Sequence, residues 1–248
     1  EQVMEGAREI EAAYWAMMDA VSRVTRPDCG EREQDFAIYT TPIMLNTVVP
    51  SVLSSLNQRF PQVRFAVSEL NIWEIAQNVQ FGQDCIALIS WPSFRSEMYA
   101  RVERDALHFE AIYKERIDLG VPKGHPLAGR ASVSNSELAD LPFATYYNEK
   151  DLLQRLLDGE NQPNILIHST QLTLCHDMVK KGAAVALWSD LVDYYAQSDA
   201  IVQVPLDRSV DISYGCMWNE NHPLSPVAQE VVSQTKQEFW RVIHGKTP

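Results

Sequence analysis

Apolar residues recur with a seven-residue period at the start of the chain. Spaced alternately four and three residues apart, they form one seam: Val3, Ala7, Ile10, Tyr14, Met17, Val21 and Val24. This spacing places the side chains on one face of a helix, in the pattern of a coiled coil. Pro27 and Gly30 end the pattern. We therefore predict a helix over 1–27 that pairs with a second copy; an amphipathic helix packed on its own domain is the alternative.

After residue 34 the pattern changes to short apolar segments that alternate with amphipathic ones. In the first half we predict strands over 36–39, 63–68 and 85–90, and helices over 42–60 and 73–81. The order β-α-β-α-β is typical of a mostly parallel sheet, because two parallel strands need a crossover connection. The first half of the chain is therefore expected to form one α/β lobe.

The second half repeats this plan. Strands are predicted over 142–147, 164–168, 183–187, 201–205 and 211–218, and helices over 150–157, 172–181, 191–196 and 226–243. A long extended segment, 107–121, is interrupted by charged residues near its centre. We predict an α/β fold with two Rossmann-like lobes and a long N-terminal helix before them. The chain is expected to cross between the lobes near 115–117 and again near 207–210.

Two lobes joined by two crossings leave a cleft between them. In open α/β sheets, ligands bind outside the carboxyl ends of the strands. The candidate ligand-binding residues at these ends are Thr40, Thr41, Glu69, Asn71, Trp91, Tyr147, Asn148, Ser169 and Thr170, with Tyr146 and Trp188 beside them. The two hydroxyl pairs precede predicted helices, whose N-terminal N–H groups attract anions. A small carboxylate-bearing molecule would suit this cleft, and plain helix capping is the alternative at each pair.

Composition narrows the possible function classes. The 248 residues include 33 acidic and 21 basic ones, a formal net charge of −12, whereas a nucleic-acid site needs a basic face. The motifs of common hydrolases, dinucleotide enzymes, P-loop proteins and zinc proteases are absent, so we predict no catalytic set, cofactor or metal. An enzyme with His168 as its base remains an alternative. Widely spaced cysteines and no signal-peptide pattern favour a cytoplasmic location.

Several segments together carry a family resemblance. They are Thr40-Thr41-Pro42, LNQRFP at 56–61, FGQDCIALI at 81–89, LGVPKGHPLA at 119–128, SELADLP at 136–142, VKKGAAVAL at 179–187 and PLSP at 223–226. In this order they resemble the effector-binding region of LysR-type transcriptional regulators, preceded by its linker helix. The resemblance covers residues 1–243.

The resemblance implies a periplasmic-binding-protein type II-like fold. Subdomain I would comprise 36–116 and 208–248, and subdomain II 117–207, with the effector between them and assembly as a homodimer or homotetramer. Thr40 and Thr41 match hydroxyl residues that bind effector in the family, whereas many members carry another Ser or Thr at the position of Ile43. The remaining matches are the second-subdomain cleft positions Tyr146, Tyr147, Asn148, Ser169 and Thr170.

The resemblance also implies a winged helix-turn-helix that reads DNA and precedes the linker helix. That segment is not part of this sequence, so we expect an effector-sensing and assembly region that contacts DNA only through it. A free-standing solute-binding protein of a transport system is the alternative. Such a protein would carry an export signal or a lipid-anchored cysteine and would need no heptad helix.

Overall fold

The computed structural model describes residues 34–93, 102, 104–146, 149–157 and 162–244. The predicted pairing helix over 1–27 lies outside these residues, as do the candidate residues Tyr147 and Asn148. Within the described part, no helix combines the length and the apolar character that crossing a membrane requires.

Strands and helices alternate through most of the described chain. The strands are β1 (Gln34–Thr40), β2 (Val63–Glu69), β3 (Cys85–Pro92), β4 (Leu107–Arg116), β5 (Asp118–Pro122), β6 (Phe143–Tyr146), β7 (Ile165–Ser169), β8 (Ala186–Trp188), β9 (Ile201–Val204) and β10 (Asp211–Asn219). The helices are α1 (Pro42–Asn46), α2 (Val48–Arg59), α3 (Ile72–Phe81), α4 (Glu149–Leu156), α5 (Leu172–Lys180), α6 (Asp190–Ala196) and α7 (Pro226–His244), with a 3₁₀ helix at Asn135–Asp140.

The larger sheet has five strands in the order β2-β1-β3-β10-β4. β1 is parallel to both β2 and β3, as the β-α-β-α-β order predicts. β10 is antiparallel to β3 and to β4, so it runs against the other four strands. This late strand enters the sheet because the chain returns to it after building the second half of the molecule. We call this sheet and the helices α1, α2, α3 and α7 the first lobe.

Helices cover both faces of the large sheet. Val49, Val52 and Leu56 of α2 share one core cluster with Val231 and Phe239 of α7. On the opposite face, α3 belongs to a second cluster, which also contains buried residues of β3, β4 and β10. Each helix therefore buries its apolar stripe on the sheet, which is what its periodicity requires.

The predicted helix over 42–60 is two helices in the structure. The break lies at Thr47, whose hydroxyl donates to the carbonyl oxygen of Ile43 at 2.6 Å. Pro50 explains the break, because proline has no N–H group and its ring clashes with the carbonyl four residues earlier in a helix. Pro50 instead lies in the first turn of α2, where both features are tolerated.

Two smaller sheets build the other half of the structure. β8, β5 and β9 form an antiparallel sheet, and β6 and β7 form a parallel pair. A bridge between Phe143 and Val185 links the pair to the rest. We call residues 118–206 within the described part the second lobe. The sheet partners change after Arg116 and again before Asp211, close to the two predicted crossings.

The two crossings lie side by side. The N–H group of Ile117 donates to the carbonyl oxygen of Val210 at 3.0 Å. The hydroxyl of Ser209 donates to the carbonyl oxygen of Ile117. These bonds tie the outgoing chain segment to the returning one, so both lobes are attached at a single edge.

Gly215 should be essential to this sheet. The register of β10 against β4 shifts between Tyr214 and Gly215, and a Cβ at Gly215 would lie 2.0 Å from the carbonyl oxygen of Glu110. We expect Gly215→Ala to lower the free energy of unfolding by roughly 2–3 kcal/mol, because the backbone must shift to accept the methyl group. Urea unfolding measures this change. Gly124→Ala is the matched control, since no atom lies within 4 Å of its added Cβ.

Candidate functional site

A cavity of about 100 Å³ lies between the two lobes. The first lobe lines it with the segments 41–43, 70–72 and 90–92. The second lobe lines it with Tyr146, with the segment 186–189 and with residues of α5 and α6. Its position at the carboxyl ends of β1, β2 and β3 is the one that open α/β sheets use for ligands.

Thr41 anchors the first-lobe wall. Its hydroxyl oxygen lies 2.9 Å from the hydroxyl of Ser90 and accepts a hydrogen bond from the N–H group of Ser90, also at 2.9 Å. These bonds fasten the start of α1 to the end of β3. Thr41 and Ser90 thus place two adjacent hydroxyl groups in the lining of the cavity.

Thr40 and Glu69 do not reach the cavity. Thr40 is fully buried, and its hydroxyl donates to the carbonyl oxygen of Leu88 at 2.9 Å. Glu69 is paired opposite Thr40 at the end of β2, and partial burial raises its pKa. Neither residue is among those that line the cavity. Side chains alternate along a strand, so the neighbour Thr41 borders the cavity while Thr40 points into the sheet core.

Asn71 borders the cavity, but its side chain has a structural role. Its amide oxygen accepts hydrogen bonds from the N–H groups of Trp73 and Glu74, both at 3.0 Å. The carboxylate of Glu74 in turn accepts from the N–H group of Asn71, which completes a capping box at the start of α3. Asn71 therefore fixes the loop that forms this side of the cavity.

Two tryptophans from opposite lobes form the apolar walls. Trp91 of β3 is fully buried and packs against Phe109, with 4.8 Å between the ring centroids. Trp188 of β8 is almost fully buried and packs against His176 at 4.6 Å. The cavity also contacts leucine, isoleucine and valine side chains from both lobes. Most of its surface is therefore apolar.

Ser169 and Thr170 lie outside the cavity lining. The hydroxyl of Ser169 accepts a hydrogen bond from the N–H group of Gln171 at 2.9 Å, so it stabilises the turn before α5. His168 lies beside Thr145, with 3.2 Å between its Nδ1 atom and the threonine hydroxyl, and it does not line the cavity either. Of the predicted residues that the structure describes, Thr41, Asn71 and Trp91 line the cavity together, with Tyr146 and Trp188 beside them.

Three polar lining residues were missed by the sequence reasoning: Ser90, His176 and Ser189. A signal existed for His176, because Leu172, Cys175, His176 and Val179 follow the spacing of one helix face. Ser90 is the third-last residue of β3, and Ser189 directly follows β8. The direction in which these two serine side chains point could not be read from the sequence, since it depends on the twist of the strand end.

The described lining of the cavity is uncharged. Among the residues that the structure describes there, none is a lysine, arginine, aspartate or glutamate. Burial, together with the nearby charge of Lys180, lowers the pKa of His176 to about 4. The imidazole is therefore neutral at pH 7, when one ring nitrogen can donate a hydrogen bond and the other can accept one.

Comparison with known families identifies the fold. Residues 30–240 match the family model described as LysR substrate binding domain. The uncharacterised HTH-type transcriptional regulator YybE of Bacillus subtilis is 23% identical over 220 residues, which are 87% of this chain and 70% of that protein. The chain spans 65% and 43% of two further regulators of the same species.

Solved structures agree with this match. The regulatory domain of CcmR from Synechocystis in complex with 2-PG has a TM-score of 0.67 at 13% identity, over 83% of this chain and 97% of that one. The effector-binding domain of BenM with its effector benzoate has a TM-score of 0.63 at 17% identity, over 87% and 96%. The predicted type II periplasmic-binding-protein-like fold is confirmed.

His176 should make folding stability depend on pH. Its pKa is about 4 in the folded state, against about 6.5 for an ordinary histidine. Because folding lowers this pKa, the neutral His176 contributes fully to the free energy of unfolding above pH 6.5. This contribution declines below pH 6.5 and is lost as the pH falls through 4. We expect His176→Gln to remove up to roughly 3 kcal/mol of this decline, measured by urea unfolding between pH 7 and 4. Equal pH slopes of the free energy of unfolding for His176→Gln and the unmodified protein would contradict the assignment.

Proposed function

Since the chain belongs to the LysR substrate-binding domain family, it is an effector-sensing regulatory domain, and we propose that its effector binds in the cavity between the two lobes. The family consists of transcriptional regulators, which are not an enzyme class. These matches also exclude the alternative of a free-standing transport protein.

The uncharged cavity is the observation that carries the proposal on effector chemistry. A volume of about 100 Å³ is of the order of a cavity of about 150 Å³ that holds benzene. The two tryptophan walls favour a compact aromatic or aliphatic body. The hydroxyls of Thr41 and Ser90 and the neutral ring of His176 offer hydrogen bonds to polar groups of the effector. A carboxylate among them would be held by hydroxyl and imidazole groups rather than by a cation.

The related structures contain effectors of two kinds. BenM binds benzoate, which is mostly apolar, whereas CcmR was solved with 2-PG. The apolar walls of this cavity fit a molecule of the first kind better. As contact residues we propose Thr41, Asn71 and Trp91, together with Ser90 and His176. Tyr147 and Asn148 stay proposed contacts on the basis of their sequence positions alone.

The architecture of the whole regulator is also a proposal. We propose subdomain I over 36–116 and 208–248 and subdomain II over 117–207, which the change of sheet partners near both boundaries supports. The heptad seam over 1–27 supports assembly as a homodimer or homotetramer. Effector binding would bias the lobe arrangement, and the helix would transmit this bias to a DNA-reading segment. Such coupling is typically about 1–3 kcal/mol. A cytoplasmic location is part of the same proposal.

A matched ligand series tests the effector chemistry. Benzamide, benzoate and benzylamine share one ring and differ in the charge of the polar end. We expect benzamide and benzoate to raise the melting temperature and benzylamine to leave it unchanged, because a buried ammonium would find no acidic partner among the described lining residues. Thermal-shift measurements at pH 7 rank the three compounds by the rise in melting temperature that each causes. A largest shift with benzylamine would contradict an uncharged site.

Thr41→Val tests the position of the site. The variant keeps the side-chain shape but removes the hydroxyl that faces Ser90. We expect it to weaken binding of a compound identified in the series by about two- to ten-fold, as measured by isothermal titration calorimetry. Thr145→Val removes an equally buried hydroxyl that does not line the cavity, and its affinity should match that of the unmodified protein. Equal affinities for both variants would overturn the proposed site.

Ile10→Glu tests the role of the heptad seam in assembly. A charge at a seam position would be buried between two helices, so the dimer should dissociate. Arg8→Glu introduces the same residue off the seam and should leave assembly unchanged. Sedimentation equilibrium of both variants at the same concentration measures their mass. A monomeric unmodified protein at high concentration would contradict assembly through this helix.

A further inference from the structure

Helix α6 of the second lobe is held at both ends by carboxylates of the first lobe. Glu115, at the end of β4, contacts its N-terminal end, and Glu238 of α7 contacts its C-terminal end. The exposed fractions of these two glutamates are 9% and 6%. Both contacts therefore span the lobes and are screened from solvent.

At the N-terminal end, Glu115 accepts a hydrogen bond from the N–H group of Leu191 at 3.0 Å. The hydroxyls of Ser189 and Tyr214 face the same carboxyl, and they lie 3.4 Å from each other. A carboxylate at the first turn of a helix interacts favourably with the free N–H groups there. This group of hydrogen bonds joins β4 and β10 of the first lobe to the start of α6.

At the C-terminal end, the hydroxyl of Tyr195 donates to Glu238 at 2.5 Å. The guanidinium of Arg241, one turn later on α7, donates to the second carboxylate oxygen at 2.9 Å. The hydroxyl of Ser51 on α2 also faces that of Tyr195. The C-terminal end of α6 is thus fastened to two helices of the first lobe.

Glu115 is a costly residue for a purely structural role. The titratable groups facing it are Tyr113 of β4, Tyr214 of β10 and Asp190 of α6. None of these is a cation, and burial raises the pKa of its carboxyl. An apolar residue would fill the same space without this desolvation penalty. Buried ionisable groups with shifted pKa values cluster at functional sites.

The position of α6 links both carboxylates to the cavity. Val192 on α6 and Ser189, its N-cap residue, both line the cavity. The hydroxyl of Ser189 accepts a hydrogen bond from the N–H group of Val192 at 3.3 Å. A shift of α6 would therefore move two lining residues together and change the width of the cleft.

We propose that Glu115 and Glu238 are positioning residues that clamp α6 between the lobes and so hold the effector cavity closed around its contents. The inference rests on the proposed effector site, because its consequence is control of access to that cavity. Neither carboxylate lines the cavity itself. Loosening either end should open the cleft without unfolding either lobe.

Cysteine alkylation tests the clamp without any effector. Cys175 lines the cavity and is 1% exposed, whereas Cys216 is fully buried in the large sheet. Iodoacetamide should reach Cys175 when the cleft opens and Cys216 only when the sheet unfolds. Peptide mass spectrometry gives both rates in one sample. Tyr195→Phe removes only the hydroxyl that Glu238 holds, and Tyr194→Phe is the matched control on the neighbouring residue.

We expect Tyr195→Phe to raise the alkylation rate of Cys175 about five-fold, with the rate of Cys216 unchanged, because a net hydrogen bond is worth about 1 kcal/mol. At the other end, Glu115→Leu should act similarly. Glu115→Gln should keep the Cys175 alkylation rate of the unmodified protein, since the glutamine amide oxygen can still accept a hydrogen bond from the N–H group of Leu191.

Two results would overturn the clamp. One is an unchanged Cys175 rate in Tyr195→Phe; the other is a parallel rise at Cys175 and Cys216, which indicates loss of stability alone. Neither outcome depends on where the effector binds. If Tyr195→Phe leaves the Cys175 rate unchanged but Thr41→Val weakens ligand binding, the clamp is wrong and the proposed effector site stands. If Tyr195→Phe raises the Cys175 rate alone but Thr41→Val leaves binding unchanged, the clamp stands and the proposed effector site is wrong.

Discussion

The two lobes face one another because the chain passes between them twice at the same edge. The bond from the N–H group of Ile117 to the carbonyl of Val210 joins the two passages. With both connections at one edge, the carboxyl ends of β1, β2 and β3 can only face the second lobe. The cavity is a consequence of this constraint, and its walls belong to segments that are far apart in the sequence. Any molecule bound there contacts both lobes at once, which is the physical requirement for sensing through lobe arrangement.

Polar groups around the cleft are divided between two roles. Those that line the cavity are neutral: the hydroxyls of Thr41, Ser90 and Ser189 and the imidazole of His176. The ionisable carboxyls of Glu115 and Glu238 lie behind the lining, where they bond α6 rather than a ligand. The carboxyls thus help to position α6, while the described cavity lining stays uncharged and mostly apolar. An effector bound there, as proposed, would gain from burial of its apolar body, while the polar groups would select its orientation.

Much of the fold was predictable because each element has its own period. The strands and helices of the described part lie within a few residues of their predicted positions, except that Pro50 divides one predicted helix into α1 and α2. The site was less predictable. Thr40 and Thr41 have the same chemistry and adjacent positions, yet the strand pleat directs only Thr41 towards the cleft. Ser169 ends β7 opposite Tyr146, which lines the cavity, but the Ser169 hydroxyl bonds the turn before α5, and neither Ser169 nor Thr170 is in the lining.

The sequence by itself determined the α/β alternation, the points of crossing and the family, because these depend on local periodicity and on short segments kept in order. Only the tertiary structure decided which side chains meet. The placement of β10 between β3 and β4 and the clamp on α6 join residues separated by tens of positions, and the contact of the neutral His176 with Trp188 joins residues twelve positions apart. Contacts of this kind depend on how sheets twist and how lobes dock. Burial, which sets both the pKa of His176 and that of Glu115, exists only after docking.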